Sequence, residues 1–226
     1  MRTVRAGRAG AGVGMTTGMN SPARYSLYGL LSGGIILLDQ WTKALVQQQM
    51  GLQESIPIIP HLFSLTYIRN PGAAFGLFVG MGKPFRTIFF LAITATALTV
   101  IGYFFLASIR DDRRLGLLKS GPGGPSSSRQ GSRHGRWLRT GLALVFGGAI
   151  GNLIDRVLHG EVVDFLDFYL GAYHWPAFNV ADSSITVGVS ILLAAAFFLP
   201  NPADLTRPSG PPDPAGGPPS STPPTA

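Results

Sequence analysis

Cysteine is absent from this chain, which excludes disulfides, thiolate nucleophiles and thiolate metal sites. Charge is scarce: 13% of the 226 residues are Asp, Glu, Lys or Arg, against 46% apolar residues. That balance is too apolar for an ordinary soluble domain. Lys and Arg are missing altogether between residues 159 and 179. No Ser-His arrangement and no internal repeat is present. His61, His159 and His174 lack ligand spacing, so no metal and no cofactor is expected.

Long apolar runs are plentiful. Residues 25–46, 86–109, 138–158 and 180–199 are each long enough, or nearly so, to cross a hydrocarbon core of about 30 Å. The expected fold is an all-α membrane protein of four transmembrane helices, with a small extracytoplasmic β-containing segment between helices 1 and 2. The net charge of +7 invites a nucleic-acid partner, but its distribution argues against one. Arg2, Arg5, Arg8 and Arg24 precede the first span, and eight cations from Arg110 to Arg139 lie between spans two and three. The segment between spans one and two has Arg69, Lys83 and, at its edge, Arg86. This is the positive-inside bias: both termini and the Arg-rich loop are expected in the cytoplasm, and the other two loops outside. The basic first flank resembles a signal sequence, yet no small-x-small cleavage site follows, so the span is expected to be retained.

Residues 1–23 form an Arg/Gly-rich leader and 200–226 a Pro-rich tail, both expected to be disordered around a membrane domain at 24–199. Met15 and Met19 are alternative starts. LFSLTYIRN (62–70) alternates as a short strand does, and the following NPGAAFGLF, with Pro71, Gly72 and Gly76, suits a turn or a clamp over a ligand. GPGGPSSSRQGSRHG is linker-like. Trp137 and Trp175 fall at opposite interfaces.

The polar groups inside the spans agree on depth. Asp39 and Lys43 share a helix face at i, i+4 in the outer third of span one. Gly148, Asn152 and Asp155 recur on one face of span three, beside Arg156, while Gly147 and Gly151 allow a neighbouring helix to approach. Asn179, Asp182 and Thr186 form a stripe at the outer end of span four. Asp164 and Asn70 sit in the two outer loops. Carboxylates so close to hydrocarbon are costly and mark function. Asp164 and Asp182, flanking the last span, suggest acid–base chemistry by two carboxyl groups. Plainer readings exist: a helix-end pair of Asp39 with Lys43, a buried pair of Asp155 with Arg156, Asn179 as a helix cap, Gly72 as a turn former, and Glu161 and Asp167 as solvated or structural acids.

In order, DQWTK (39–43), YIRNPGAAFGLF (67–78), GGAIGNLIDR (147–156), VVDFLDF (162–168) and FNVADSSITVG (178–188) resemble the lipoprotein signal peptidase family, also called signal peptidase II. The resemblance implies a bacterial inner-membrane aspartyl endopeptidase that cuts diacylglyceryl-modified prolipoproteins just before the lipidated Cys. It implies that Asp164 and Asp182 are the catalytic pair. It also implies that Asp39, Lys43, Asn70, Gly72, Asn152, Asp155, Arg156, Asn179 and Ala181 support the site or the substrate. Expected partners are prolipoproteins and membrane lipids, with no nucleic acid, and a monomer is expected. Two other classes compete. A metal-dependent lipid-headgroup transferase needs a denser, cytoplasmic acid cluster, and a proton-coupled transporter places its acids at the midplane.

Overall fold

The structure, a computed structural model, describes residues 21–72, 82–118 and 128–198. The leader at 1–20, residues 73–81 of the proposed clamp, the linker at 119–127 and the tail from 199 lie outside the described residues. Four helices and four strands follow in the order α1 (Ser21–Gln49), β1 (Ser55–Ile59), β2 (Phe63–Asn70), α2 (Lys83–Leu118), α3 (Ser128–His159), β3 (Val162–Leu170), β4 (Tyr173–His174) and α4 (Val180–Phe198).

Among the described residues, three helices are long and apolar enough to cross a membrane: Lys83–Arg110, His134–His159 and Val180–Phe198. α1 is long as well, at 29 residues, but it carries Asp39 and Lys43. α3 is the central element, packed against α4, α1 and α2. Its glycines make that possible. A Cβ on Gly147 would stand 3.0 Å from the Ser32 carbonyl of α1, and one on Gly151 would stand 2.6 Å from Asp39 Oδ2. A Cβ on Gly148 would meet the backbone carbonyl of Ala181 and come within 2.8 Å of Ile185 on α4.

The strands form one antiparallel array in the order β1-β2-β3-β4. The strand expected at 62–70 is β2. The β-containing segment expected between the first two helices is present as β1 and β2, and the sheet extends beyond it. VVDFLDF, expected as an outer loop, is β3, and it pairs with β2 from Phe63↔Phe168 to Asn70↔Val162. The register slips by one residue between Leu65 and Ile68, a bulge that bends β2 beside Asp164. Val163 and Phe165 point to one side of β3 and pack with Val46, Met50 and Tyr67. By strand alternation Asp164 points to the other side.

Candidate active site

The chain returning from β4 runs back along β3. Phe178 accepts from the N–H groups of Phe165 and Leu166 at 3.1 and 2.8 Å and donates to the Leu166 carbonyl at 3.1 Å. This delivers Asn179, the residue before α4, next to Asp164. Asn179 caps α4: its Oδ1 accepts the Asp182 N–H at 2.9 Å, while Asp182 Oδ2 accepts the Asn179 N–H at 3.2 Å. This reciprocal pair is a capping box with Asp in the third position. The same Asn179 donates through Nδ2 to Asp164 Oδ1 at 2.8 Å. One fully buried residue therefore donates to both acids that flank the last helix, through its side-chain amide to Asp164 and through its backbone N–H to Asp182.

Each acid has a further donor. Asn70, at the end of β2, donates to Asp164 Oδ2 at 2.9 Å, and Asn152 of α3 donates to Asp182 Oδ1 at 2.7 Å. Asn70 is itself fixed by the turn that follows, since its Oδ1 accepts the Gly72 N–H at 2.8 Å. Gly72 has φ +90, where a side chain is strained. Burial, and after it the charge of Asp182, pushes the Asp164 carboxyl up to about 7, against the donors Asn70 and Asn179 and the charge of Lys43. A carboxyl held there is half protonated near neutral pH, which suits acid–base work.

Beneath this pair lies a buried charged cluster. Lys43 Nζ sits 2.8 Å from Asp39 Oδ2, 3.0 Å from Asp155 Oδ2 and 3.1 Å from Asn152 Oδ1. The expected pairing of Asp39 with Lys43 is present. The expected pairing of Asp155 with Arg156 is not: successive helix positions point apart, and Asp155 faces Lys43 instead. The cluster also ties three elements together. Asp39 Oδ1 accepts the Ala181 N–H at 2.9 Å, and Asp155 Oδ2 accepts the Val163 N–H at 3.0 Å. Ala181 thus contributes its backbone amide, not its methyl group. The Arg156 guanidinium makes no hydrogen bond or ion pair among the described residues and lies 5.2 Å from the Phe90 ring centroid.

The sequence reading missed Gln40. Its Nε2 lies 3.2 Å from Asp39 Oδ2, 3.0 Å from Asp155 Oδ1 and 3.1 Å from the Gly151 carbonyl. The available signal was an amide directly after an acid in an apolar helix. Thr186, placed in the polar stripe, only returns its hydroxyl to the Asp182 carbonyl on an exposed face. Asp167 is buried and bonded to Thr66 at 3.1 Å and His174 at 3.0 Å, so it is a structural acid of the sheet. His174, expected simply at the surface, is half-exposed and paired. Among the described residues no group of His and acids is arranged to hold a metal.

A family model described as signal peptidase (SPase) II matches residues 31–121 and 126–198. The lipoprotein signal peptidase of Desulforapulum autotrophicum is 47% identical over 169 residues, covering 75% of this chain and 90% of its own. That of Geobacter sulfurreducens is 44% identical over 168 residues, covering 74% and 89%. That of Geobacillus thermodenitrificans is 39% identical over 180 residues, covering 79% and 94%. Two solved structures of bacterial membrane enzymes match at 33% identity with TM-scores of 0.57 and 0.58, over 76% of this chain and 87% and 94% of theirs. Described helices, acids and comparisons converge, and the chain belongs to the signal peptidase II family.

Proposed function

We propose that this membrane peptidase removes the signal peptide of diacylglyceryl-modified prolipoproteins with Asp164 and Asp182 as its acid–base pair. The observation that carries the assignment is their sharing of Asn179, on a strand and a helix that no local sequence contact would bring together. Two carboxyls this closely tied share one proton. The ionised member takes a proton from water as the water attacks the carbonyl before the lipidated Cys. The neutral member hydrogen-bonds the carbonyl oxygen, and a proton then passes to the leaving nitrogen. Burial and the charge of Asp182 push the Asp164 carboxyl up to about 7, which supports a proton being kept on the pair near neutral pH.

The other residues divide by contact. Asn70, Asn152 and Asn179 orient the acids. Lys43, Asp39 and Asp155 lock α1, α3, β3 and the start of α4 together. Gly72 shapes the turn behind Asn70, and Arg156 keeps its donors available to substrate. We place residues 24–199 in the bacterial inner membrane as four spans and a monomer, with both termini cytoplasmic and the site near the outer face. Long α1 supports its counting as a span, since Asp39 and Lys43, the charges within its apolar run, are buried and paired with each other, and Lys43 also with Asp155 and Asn152 of α3. The charge asymmetry of the loops supports the orientation. Family membership sets aside the headgroup transferase and the transporter.

The test uses purified protein in detergent and one diacylglyceryl-modified prolipoprotein. Asp164→Asn and Asp182→Asn should each lower turnover by on the order of 10²–10⁴-fold or more, as loss of a general acid or base does, with melting no lower than that of the parent. Near-normal cleavage by either variant rejects the pair. Activity should also survive a chelator.

A further inference from the structure

α2 is packed against α3 and contributes no hydrogen-bonding side chain to the acids described above, yet one of its residues reaches their surroundings. Phe90 lies in the third turn of α2. On one side its ring is so close to the Gly72 backbone that a Cβ on Gly72 would fall among the ring atoms. On another side it carries the Arg156 guanidinium at 5.2 Å from its centroid. Phe89 meets it edge-on at 5.4 Å, which restricts how the ring can turn.

These contacts connect two groups that the proposed reaction needs. Gly72 donates to Asn70, and Asn70 donates to Asp164. Arg156 is the cation beside the acids whose guanidinium makes no hydrogen bond or ion pair among the described residues. Left to itself, an arginine near Asp155, Asp164 and Asp182 would collapse onto one of those carboxylates, since a bidentate arginine–carboxylate pair is the stronger contact. A ring face offers an alternative seat that holds the cation without consuming its N–H donors.

Resting on the reading of the site as a carboxyl-pair peptidase, we propose that Phe90 is a positioning residue. Its ring fixes Arg156 away from the acids, with its donors turned to substrate oxygens, and backs the Gly72 turn that holds Asn70 on Asp164. Its contacts toward the site are with Gly72 and Arg156, so its effect passes through Arg156 and Asn70.

The experiment is a double-mutant cycle on the full chain in detergent, reading kcat and KM on a diacylglyceryl-modified prolipoprotein. Phe90→Leu removes the ring face and keeps an apolar side chain. It should lower kcat/KM by about 3- to 30-fold, the range of a partly desolvated cation–π contact. Phe90→Tyr keeps the face and should retain most of the rate. In an Arg156→Met background, Phe90→Leu should cost clearly less than in the parent, because the cation it seats is gone and only the Gly72 turn is still affected. If Phe90→Leu melts lower than the parent, Phe90→Met, closer in length, carries the same comparison. Full activity of the ring-less variant, equal losses with and without Arg156, or a tyrosine variant as slow as the leucine one would each overturn the proposal. The carboxyl pair is judged separately: an additive cycle with inactive Asp164→Asn removes the Phe90 role alone, and a coupled cycle with active Asp164→Asn removes the pair alone.

Discussion

Asp164 titrates near 7 because burial and the neighbouring Asp182 charge outweigh the donors Asn70 and Asn179 and the charge of Lys43. The sign of the consequence follows. Between the ordinary carboxylate range and about 7 the folded chain keeps a proton that the unfolded chain has lost. Stability from this group is therefore full at low pH and is lost as pH rises through about 7. Activity that needs one proton on the pair should fall on the alkaline side of the same value. Asp182→Asn removes the second of the two causes that raise Asp164, so its carboxyl should titrate lower than in the parent. Asn70→Ala removes a donor to the charged form, so it should titrate higher. Infrared absorption of the protonated carboxyl against pH reads both. A carboxyl indifferent to Asp182→Asn would show that the acids do not sense each other. At this scale the acids, the asparagines and Lys43 were legible, because polar residues in apolar runs stand out. Their partners were not: Asp155 was assigned to its sequence neighbour Arg156, and Gln40 was overlooked, because pairing across helices depends on rotation about axes that spacing alone does not set. The corrected pairing has its own consequence. Among the described residues Lys43 is the one cation in ion-pair contact with Asp39 and Asp155, all three buried. Lys43→Met should destabilise by about 3–5 kcal/mol, the cost of leaving buried charge uncompensated, measured as denaturant or thermal unfolding in detergent.

Helices declare themselves over longer stretches than single contacts do, and each apolar run falls on one of the four helices, but α2 continues nine residues past its run to Leu118 and α3 begins ten residues before its own, at Ser128. β2 was legible by alternation. β3 was not, because its first four residues are all buried, which erases the period-two signal by which a half-buried strand is recognised. Its partner β2 also lies about ninety positions earlier, beyond any local pattern. Glycines were legible as contact points, but which helix each one meets was not. The structure separates them sharply. A Cβ at Gly148 has nowhere to go, because the facing atom is the Ala181 backbone carbonyl and not a side chain that can swing away. A Cβ at Gly34 on α1 meets nothing within 4 Å. Gly148→Ala should cost about 1–3 kcal/mol as overpacking does, and it should reduce cleavage because Ala181 and Asp182 move with α4. Gly34→Ala should leave both stability and cleavage near the parent values. Thermal melts and initial rates of the two variants, measured side by side, check the assignment; equal effects would mean that the α3–α4 approach is not the tight one.

The whole molecule poses the question of how many times the chain crosses the bilayer. Pairing of β2 with β3 requires residues 63–70 and 162–170 to lie on one side, and the two apolar helices between them, α2 and α3, are each long and apolar enough to cross and return. α4 is long and apolar enough to cross once more. The remaining choice is α1. A charged residue at the middle of a lipid-exposed helix costs about 2.5–3.5 kcal/mol on insertion scales, which would count twice against α1. Yet Asp39 and Lys43 are paired and buried against α3, so the lipid does not meet them. The four Arg residues that precede the first span then favour the cytoplasm over export. The natural absence of cysteine allows a direct test with single introduced thiols and a membrane-impermeant maleimide. Leu52→Cys and Leu170→Cys, both exposed in the structure, should label in intact spheroplasts. Ser126→Cys in the Arg-rich loop and Thr3→Cys in the leader should label only after permeabilisation. Labelling of Thr3→Cys from outside would make α1 a helix that lies against the bundle without crossing, and would leave three spans. Opposite results for Leu52→Cys and Leu170→Cys would be incompatible with the β2–β3 pairing, and with it the meeting of Asp164, Asn70 and Asn179 at one surface of the membrane.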